Sequence, residues 1–429
     1  KFRLSGQQDP KEQLLAYLRE KELLLVLDNV DHIINEVSSV LVDILQQAPY
    51  VILLVTSRER LNLREEWIYE VGGLTFPKTA LDVEEDAAHA RHIYSAVDLF
   101  WHQAERLKHD WVASETASAL PKKELNAVVR ICQLVEGMPL GIELAAAWVR
   151  EQSCEAIARE LEKYLTYDEA PRVSSDILTT SLRNVPPRHR SMRASFEHSW
   201  RLLSAQEQQA FSELSVFQGG FTREAALAIT TVSPTILTHL THKSLLRSPR
   251  LLRSEAQRRY QTHPLLQQYA SEKLAEIPER EYLTRKQHAG YYATFLQARE
   301  LALKGEGQAD SKPDHPSKFD YPERTINPLD EIRIEIGNVR RAWRWAGGIC
   351  ASELPPAEAV GPALRVLQKS VESLYLFYIL QDWQQEGQII FQETVKVLES
   401  LCSTFDTDEV EAPFLSISSD IRLLLGRVL

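Results

Sequence analysis

The chain has 429 residues, of which 44% are hydrophobic and 25% are charged, and its formal net charge at pH 7 is −11. This length predicts two to four domains, and the composition is typical of a soluble globular protein. The acidic balance argues against nonspecific nucleic-acid binding by the whole chain. No apolar run approaches the ~20 residues that span a bilayer, and no signal peptide is visible. The four cysteines lie far apart without metal-ligand spacing, so we expect reduced thiols in a cytoplasmic protein.

The first predicted strand is the most informative element near the start of the chain. After a predicted helix over residues 10–20, five consecutive apolar residues, Leu23 to Leu27, run directly into Asp28. An uninterrupted apolar run of this length predicts a parallel strand buried on both faces. Such a strand ends at the sheet edge where ligands bind, and a carboxylate there can hold Mg²⁺ against nucleotide phosphates. The segment has the form of a Walker B strand.

A second strand and a helical region follow. An amphipathic helix over residues 33–47 leads to a strand over residues 50–56 that ends in Thr56-Ser57-Arg58, and this β-α-β order predicts a parallel sheet. Residues 67–71 alternate weakly between apolar and polar and predict a further strand. A helical unit is then expected, with helices over residues 85–107, 122–135 and 139–150.

Short helices and a small hairpin predict a winged-helix domain that begins near Arg172. The helices are expected at residues 191–202, 205–214, 223–230 and 234–242, and the hairpin strands at residues 244–247 and 258–262. Two arginine-rich segments in this region, residues 183–201 and 243–259, are compatible with a DNA-facing surface or with ordinary solvated faces.

The remainder of the chain, from Pro278 onward, is predicted to be helical. Aromatic residues recur on its helix faces, which favours stacked helix pairs that bury their faces against one another. A stretch rich in Lys, Asp, Pro and Ser over residues 305–328 interrupts the helices and predicts a surface loop.

Four segments in a fixed order carry a resemblance to a known family. They are residues 22–32, 51–58, 136–147 with Gly-Met-Pro-Leu, and 260–270 with Thr-His-Pro. Together they resemble the NB-ARC module of bacterial STAND ATPases, signalling relatives of AAA+ proteins, over residues 10 to 275. The resemblance implies four domains: a partial α/β P-loop NTPase-like domain with a parallel sheet (1–82), a helical domain (83–171), a winged-helix domain (172–276) and a TPR-like α-helical array (277–429).

The resemblance also implies roles for the acids after the first strand. In this family the acid that ends that strand holds Mg²⁺, and Asp28 occupies the position, although it is also placed to cap the following helix. Many members carry a second acid directly after the first. Here Asn29 stands there, and Asp31 is the expected substitute for orienting the attacking water.

Three further residues are implied to contact the nucleotide. Arg58 matches an arginine that reaches the γ-phosphate of ATP, with a surface ion pair to neighbouring glutamates as the alternative. Pro139 matches a proline that packs against adenine, and it also suits the first position of a helix. His263 matches a histidine that contacts the β-phosphate of ADP. The usual Met-His-Asp reads Thr-His-Pro here, and a structural histidine is the alternative.

The resemblance therefore implies a slow ATPase switch that uses ATP or ADP with Mg²⁺ and regulates an effector in transcription or signalling. The array is expected to bind a protein partner or small ligand, opening is expected to drive self-assembly, and DNA is expected to meet only a separate domain. The chain lacks the phosphate-cradling G-x-x-x-x-G-K-[ST] motif and begins with Lys1, so we expect an N-terminally truncated fragment that is inactive alone. The alternatives are a nucleotide-free protein-interaction scaffold and a transcription regulator whose own winged helix contacts DNA.

Overall fold

The computed structural model describes residues 9–78, 90, 92–107, 122–166, 191–248, 259–304, 327–351 and 357–405. Over these residues the chain is mostly helical, with a small parallel sheet and a short antiparallel pair of strands. It divides into two compact units: the first contains Lys1–Ser195 and Thr235–Arg247, and the second contains Phe196–Pro234 and Ser248–Leu429. None of the described helices is both long enough and apolar enough to cross a membrane.

The two units do not follow the predicted domain boundaries. Residues 235–247 fall within the predicted winged-helix domain, yet they cluster with the first unit. Large parts of the two arginine-rich segments and almost all of the predicted 305–328 loop lie outside the described residues. The four-domain division therefore stays a prediction.

The first unit begins with a helix–strand–helix–strand sequence: α1 (Pro10–Leu18), β1 (Leu23–Leu27), α2 (Ile34–Gln47) and β2 (Val51–Val55). The Asp9 carboxylate accepts a hydrogen bond from the Lys11 amide, and Pro10 occupies the first helical position, so both residues fix the start of α1. β1 and β2 pair in parallel, with Leu27 opposite Val55. Both strands therefore end at the same edge, as the β-α-β pattern predicts.

Only one face of this two-stranded sheet is covered by the described residues. Leu25 and Leu53 pack against a buried cluster that α1 and α2 provide. The opposite face is apolar but between 52% and 67% exposed, at Leu24, Val26, Ile52 and Leu54. The prediction that β1 is buried on both faces is therefore wrong for the part of the chain that the structure describes, because both helices lie on the same side of the strands.

The helical part of the first unit contains α3 (Ser95–Leu107), α4 (Lys122–Leu134), α5 (Pro139–Ala147) and α6 (Cys154–Thr166). Their mutual contacts bury one face of each helix, with Phe100, Ile131, Ile142 and Leu161 fully inaccessible. The bounds of α4 and α5 agree closely with those predicted, whereas α3 begins only at Ser95 and α6 was not predicted. Residues 67–71 form no strand, and the Trp67 side chain is fully exposed.

The next elements are α7 (Met192–Arg201), α8 (Ala205–Glu213), β3 (Phe221–Thr222), α9 (Arg223–Ile229), α10 (Pro234–His242), β4 (Arg259–Tyr260) and α11 (Pro264–Ala275). β4 pairs antiparallel with β3, a pairing that the sequence did not predict, and residues 249–258 between the two predicted hairpin strands lie outside the described part. Ser244 has a φ of 56°, and the Leu245 amide donates to the Leu240 carbonyl at 3.0 Å. Ser244 therefore ends α10 as a left-handed residue.

The C-terminal helices are α12 (Pro278–Gln297), α13 (Glu300–Leu303), α14 (Pro328–Ala351), α15 (Ala357–Leu380) and α16 (Gln384–Phe405). The Ser373 hydroxyl on α15 donates to the Leu296 carbonyl of α12 at 2.9 Å. The Trp343 indole N–H on α14 donates to the Thr394 hydroxyl of α16 at 2.9 Å. The predicted helical array is confirmed in the described residues, while its assignment as a TPR-like repeat stays a prediction.

Candidate functional site

The parallel register of β1 and β2 brings two polar side chains together where the strands end. The Thr56 hydroxyl after β2 donates a hydrogen bond to the exposed Asp28 carboxylate after β1. The same hydroxyl oxygen accepts from the Asn29 amide at 2.9 Å, and the Val30 amide donates to the Thr56 carbonyl at 3.2 Å. Asn29 has a φ of 59°, a left-handed conformation that asparagine tolerates well. The chain therefore turns sharply after Asp28 and holds its carboxylate at the sheet edge.

Asp31 fastens the turn after β2 to the turn after β1. Its Oδ1 accepts from the Arg58 amide at 2.7 Å and from the Ser57 hydroxyl at 2.9 Å, while its Oδ2 lies 3.9 Å from the Arg58 guanidinium Nε. The Asp31 side chain is only 3% exposed, whereas that of Arg58 is 33% exposed. The carboxylate is thus occupied by donors of the protein, in the arrangement by which a buried acid rigidifies a turn.

Arg58 also joins the strand edge to two distant segments of the first unit. Its Nη1 lies 3.4 Å from the Ser195 carbonyl, and its own carbonyl accepts from the Ser244 hydroxyl at 2.8 Å. The Ser195 carbonyl belongs to α7, and Ser244 follows α10. One residue at the sheet edge therefore contacts three parts of the same unit through its side chain, amide and carbonyl.

Pro139 occupies the first position of α5, as its helix-starting alternative predicts. The preceding turn is tight: Gly137 has a φ of 67°, and its carbonyl accepts from the Leu74 amide at 2.8 Å. Glu136 forms an ion pair of 3.0 Å with Arg247. Burial raises the pKa of the Glu136 carboxyl, and the Arg247 charge opposes that rise. The turn before Pro139 is thus held within the first unit by contacts to Leu74 and Arg247.

His263 lies in the second unit, where it caps α11. Its Nδ1 accepts a hydrogen bond from the Leu265 amide at 3.2 Å, its carbonyl accepts from the Gln267 amide at 2.8 Å, and its side chain is buried. An accepting Nδ1 carries no proton, so the neutral ring holds its proton on Nε2. The arrangement is that of an N-cap, in which histidine replaces the usual serine or aspartate.

The predicted site residues thus fall into three places. Asp28, Asp31 and Arg58 share the carboxyl edge of the β1–β2 sheet. Pro139 lies in the same unit at the start of α5, and His263 lies in the other unit at the start of α11. Sequence reasoning missed Thr56 as the partner of Asp28, although a hydroxyl directly after a predicted strand is a usable signal. It also missed the contacts of Arg58 with Ser195 and Ser244, for which the sequence offers no signal.

The residues at the strand edge fit a Mg²⁺ ion only in part. Asp28 offers one exposed carboxylate, and Mg²⁺ usually takes one or two protein carboxylates together with water and substrate phosphates. Within the described residues, no group of three His, Cys, Asp or Glu side chains is arranged to hold a metal ion by itself. The acid therefore fits a metal that arrives with a nucleotide, while the sequence supplies no Walker A cradle for the phosphates.

The three cysteines whose side chains the structure describes do not suit a nucleophilic role. Cys132, Cys154 and Cys350 are buried free thiols. Burial raises the pKa of both the Cys132 and Cys350 thiols to about 12. Reactive cysteines have a lowered pKa and are partly exposed, so these two side chains serve packing.

Comparison with known proteins gives distant relatives. No family model matches the sequence. The chain is 28% identical over 342 residues to a Mycobacterium tuberculosis protein named “Putative HTH-type transcriptional regulator”, and to its Mycobacterium bovis counterpart. These matches cover 78% of this chain and 32% of the relatives, so the chain spans about a third of their length. An “Uncharacterized protein” of Mycobacterium tuberculosis is 25% identical over 218 residues, which cover 51% of this chain and 47% of that protein.

One solved structure also aligns with the chain. It is the crystal structure of a Signal Transduction ATPase with Numerous Domains (STAND) protein with a tetratricopeptide repeat sensor from Pyrococcus horikoshii. The alignment covers 98% of this chain and 53% of that protein, at 13% sequence identity and a TM-score of 0.23. At that TM-score the likeness carries no argument about fold or function.

Proposed function

We propose that this chain is part of a nucleotide-dependent switch that regulates an effector. The observation that carries the proposal is the strand edge, where Asp28 and Thr56 meet and Asp31 holds Arg58 beside them. A carboxylate, a hydroxyl and a guanidinium at the carboxyl edge of parallel strands are the groups that hold Mg²⁺ and phosphate oxygens. On this proposal the first unit contains the partial P-loop NTPase-like domain.

Arg58 would distinguish the two nucleotides by changing partners. Without a γ-phosphate, its guanidinium stays near Asp31 and the Ser195 carbonyl. A γ-phosphate offers it a stronger, charge-assisted contact, and a guanidinium that turns toward the phosphate leaves Ser195. The Arg58 side chain is one-third exposed, so it has room to make this exchange. A switch needs contacts that differ between its two states, and this residue supplies one such difference.

Asp28 would hold the Mg²⁺ that accompanies the nucleotide, and that ion would supply positive charge to the phosphate oxygens. Asp31 would orient the attacking water, provided that it gives up some of its present hydrogen bonds. Because its carboxylate is nearly inaccessible and accepts from Ser57 and Arg58, we expect hydrolysis to be slow. Pro139 would pack against adenine, and His263 would contact the β-phosphate of ADP.

The regulatory side of the proposal draws on the relatives and on the helical array. The mycobacterial relatives carry names of transcriptional regulators. The array of α12 to α16 exposes large apolar side chains such as Tyr375, Leu380 and Ile389, which suit a protein partner or small ligand. We therefore propose that the array binds a partner in the cytoplasm and that an effector responds to the nucleotide state. Opening of the switch would then lead to self-assembly.

A protein-interaction scaffold without nucleotide is the second candidate. It is favoured by the lack of a Walker A motif in the sequence and by Asp31, whose carboxylate already accepts from protein donors. A winged helix that itself contacts DNA is a third candidate, and the names of the relatives favour it. The net charge of −11 opposes it, and binding to duplex DNA that weakens steeply with salt would support it.

The proposal is tested on the full-length gene product that contains this chain, by calorimetry with ADP and with ATP in the presence of Mg²⁺. Arg58→Ala should weaken ATP binding at least ~10-fold and leave ADP binding within ~3-fold, because only ATP offers the γ-phosphate. Arg60→Ala is the matched control, since Arg60 lies two residues away and pairs with Glu70 at 3.3 Å. Equal effects of both variants on both nucleotides would reject the assignment of Arg58.

A further inference from the structure

Side chains of α14 hold the backbone of the segment Ser215–Gly220, which precedes β3. The Asn338 carboxamide oxygen accepts from the Gln218 amide at 2.6 Å, and its Nδ2 donates to the Gly220 carbonyl at 2.9 Å. Three residues further along α14, the Arg341 guanidinium donates to the Ser215 carbonyl at 3.1 Å. Asn338 is fully buried. The helix therefore grips both ends and the middle of this segment.

A largely buried ion pair between β4 and α14 also stabilises this contact. Arg259 of β4 pairs with Glu335 of α14, and its second guanidinium nitrogen donates to the Gly220 carbonyl at 3.0 Å. Glu335 also accepts from the Tyr292 hydroxyl at 3.1 Å and from Asn338 Nδ2 at 2.8 Å. Burial and the nearby Glu335 carboxylate raise the pKa of Tyr292, so this hydroxyl remains a donor. Side chains of β4, α12 and α14 thus form one hydrogen-bonded network that includes the Gly220 carbonyl.

The same segment is held on its other side by α11. The Gln267 side-chain amide donates to the Ser215 carbonyl at 3.2 Å and to the Phe217 carbonyl. Gln267 lies one turn after His263, whose carbonyl accepts from the Gln267 amide. Ser215–Gly220 therefore stands between a helix of the array and the helix that His263 caps.

We propose that the Ser215–Gly220 segment is a relay that couples α14 of the array to α11, so that a shift of α14 caused by a bound partner moves the histidine cap at His263. The coupling is a property of the second unit and stands without any nucleotide. Only its consequence, a changed phosphate contact at His263, rests on the proposed function.

A single glycine allows a sharp test. Gly337 faces the segment so closely that a Cβ there would lie 2.8 Å from the Gln218 carbonyl oxygen, whereas a Cβ on Gly347 of the same helix would meet nothing within 4 Å. Gly337→Ala therefore pushes α14 away from the segment and keeps every hydrogen-bonding side chain. Gly347→Ala changes the helix propensity of α14 equally and leaves the contact alone.

The measurement is hydrogen–deuterium exchange of the 429-residue chain without nucleotide, read on peptides that cover residues 215–222, 263–267 and the core of α15. Gly337→Ala should raise the exchange rate of the Gln218 amide by at least ~10-fold. It should raise the exchange rate of the Leu265 amide, which donates to the His263 side chain, by at least ~3-fold. Exchange in α15 should stay unchanged, and Gly347→Ala should match the unsubstituted chain.

Asn338→Ala removes the two hydrogen bonds to the segment without adding a clashing atom, and it should give the same exchange pattern. The test can therefore still be made if one of the variants does not fold. An unchanged Leu265 amide in a folded Gly337→Ala variant would overturn the relay, and so would equal effects of the two glycine variants. A nucleotide that fails to bind leaves these outcomes untouched, which separates failure of the relay from failure of the proposed function.

Discussion

Asp31 accepts hydrogen bonds from two residues at the candidate site, and its burial explains why. A carboxylate that is only 3% exposed needs several donors, and Ser57 and Arg58 provide them. Removing it leaves the Arg58 amide and the Ser57 hydroxyl without their acceptor at the end of β2. The residue therefore has a structural role in this state, whatever role it has toward a nucleotide.

This role predicts the stability of two aspartate variants. Asp31→Ala should lower the free energy of unfolding by about 1–3 kcal/mol, because it removes the acceptor of the Ser57 hydroxyl and of the partly buried Arg58 amide. Asp43→Ala is the matched control, since it breaks only the partly exposed pair with Lys11 and should cost about 0–1 kcal/mol. Urea denaturation of both variants checks the prediction, and an Asp31→Ala loss no larger than that of Asp43→Ala would contradict it.

A second prediction for a single residue concerns how the stability of the chain changes in acidic solution. The Tyr269 hydroxyl donates to Glu197 at 2.5 Å, and with the Lys273 and Arg201 charges it holds the pKa of that carboxyl below its ordinary 4.5. A lowered folded-state pKa contributes stability above the unfolded pKa, and this contribution is lost as pH falls through the folded pKa. Glu197→Gln should therefore destabilise the chain above pH 4.5, and its deficit should shrink in more acidic solution.

Denaturant titrations of the Glu197→Gln variant and of the unsubstituted chain at several pH values check this sign. A deficit that grew on acidification, or that did not depend on pH, would show that the Tyr269 contact has been assigned the wrong role.

Among the elements, the turn before α5 depends on a glycine. Gly137 has a φ of 67°, and a Cβ there would lie 2.1 Å from the Leu74 carbonyl oxygen. The extended segment around Leu74 can pack against this turn only because the side chain is missing. Pro139 then starts the helix directly behind it.

Gly137→Ala should consequently lower the free energy of unfolding by about 1–3 kcal/mol or more, since it adds both backbone strain and a clash. Gly72→Ala is the control in the adjoining segment, where a Cβ would meet nothing within 4 Å and the effect should be close to zero. Thermal unfolding of both variants measures the difference. Similar melting temperatures would contradict the close approach.

The sequence predicted elements better than their contacts. The apolar run before Asp28 and the proline at 139 are local signals, and the corresponding strand and helix are present in the structure. The pairing of β3 with β4 was missed because it joins Phe221 to Tyr260, which lie far apart in the sequence, and no local pattern reports on it. The contact of Asn338 with Gln218 spans 120 positions of the chain, and no periodicity reports on it.

For the whole molecule, two features bear on the switch. The candidate edge and the histidine cap belong to different compact units. One sheet face of the first unit stays exposed and apolar within the described residues. Natural α/β sheets usually cover such faces.

The most direct test of the switch is therefore the ADP affinity of the full-length gene product and of its His263→Ala variant, measured by calorimetry beside ATP with Mg²⁺. We expect that ADP binds and that His263→Ala weakens ADP at least ~10-fold while ATP binding changes little, because in the proposed switch the histidine contacts only ADP. If neither nucleotide binds to the folded protein, the switch is wrong, and the protein-interaction scaffold becomes the leading candidate.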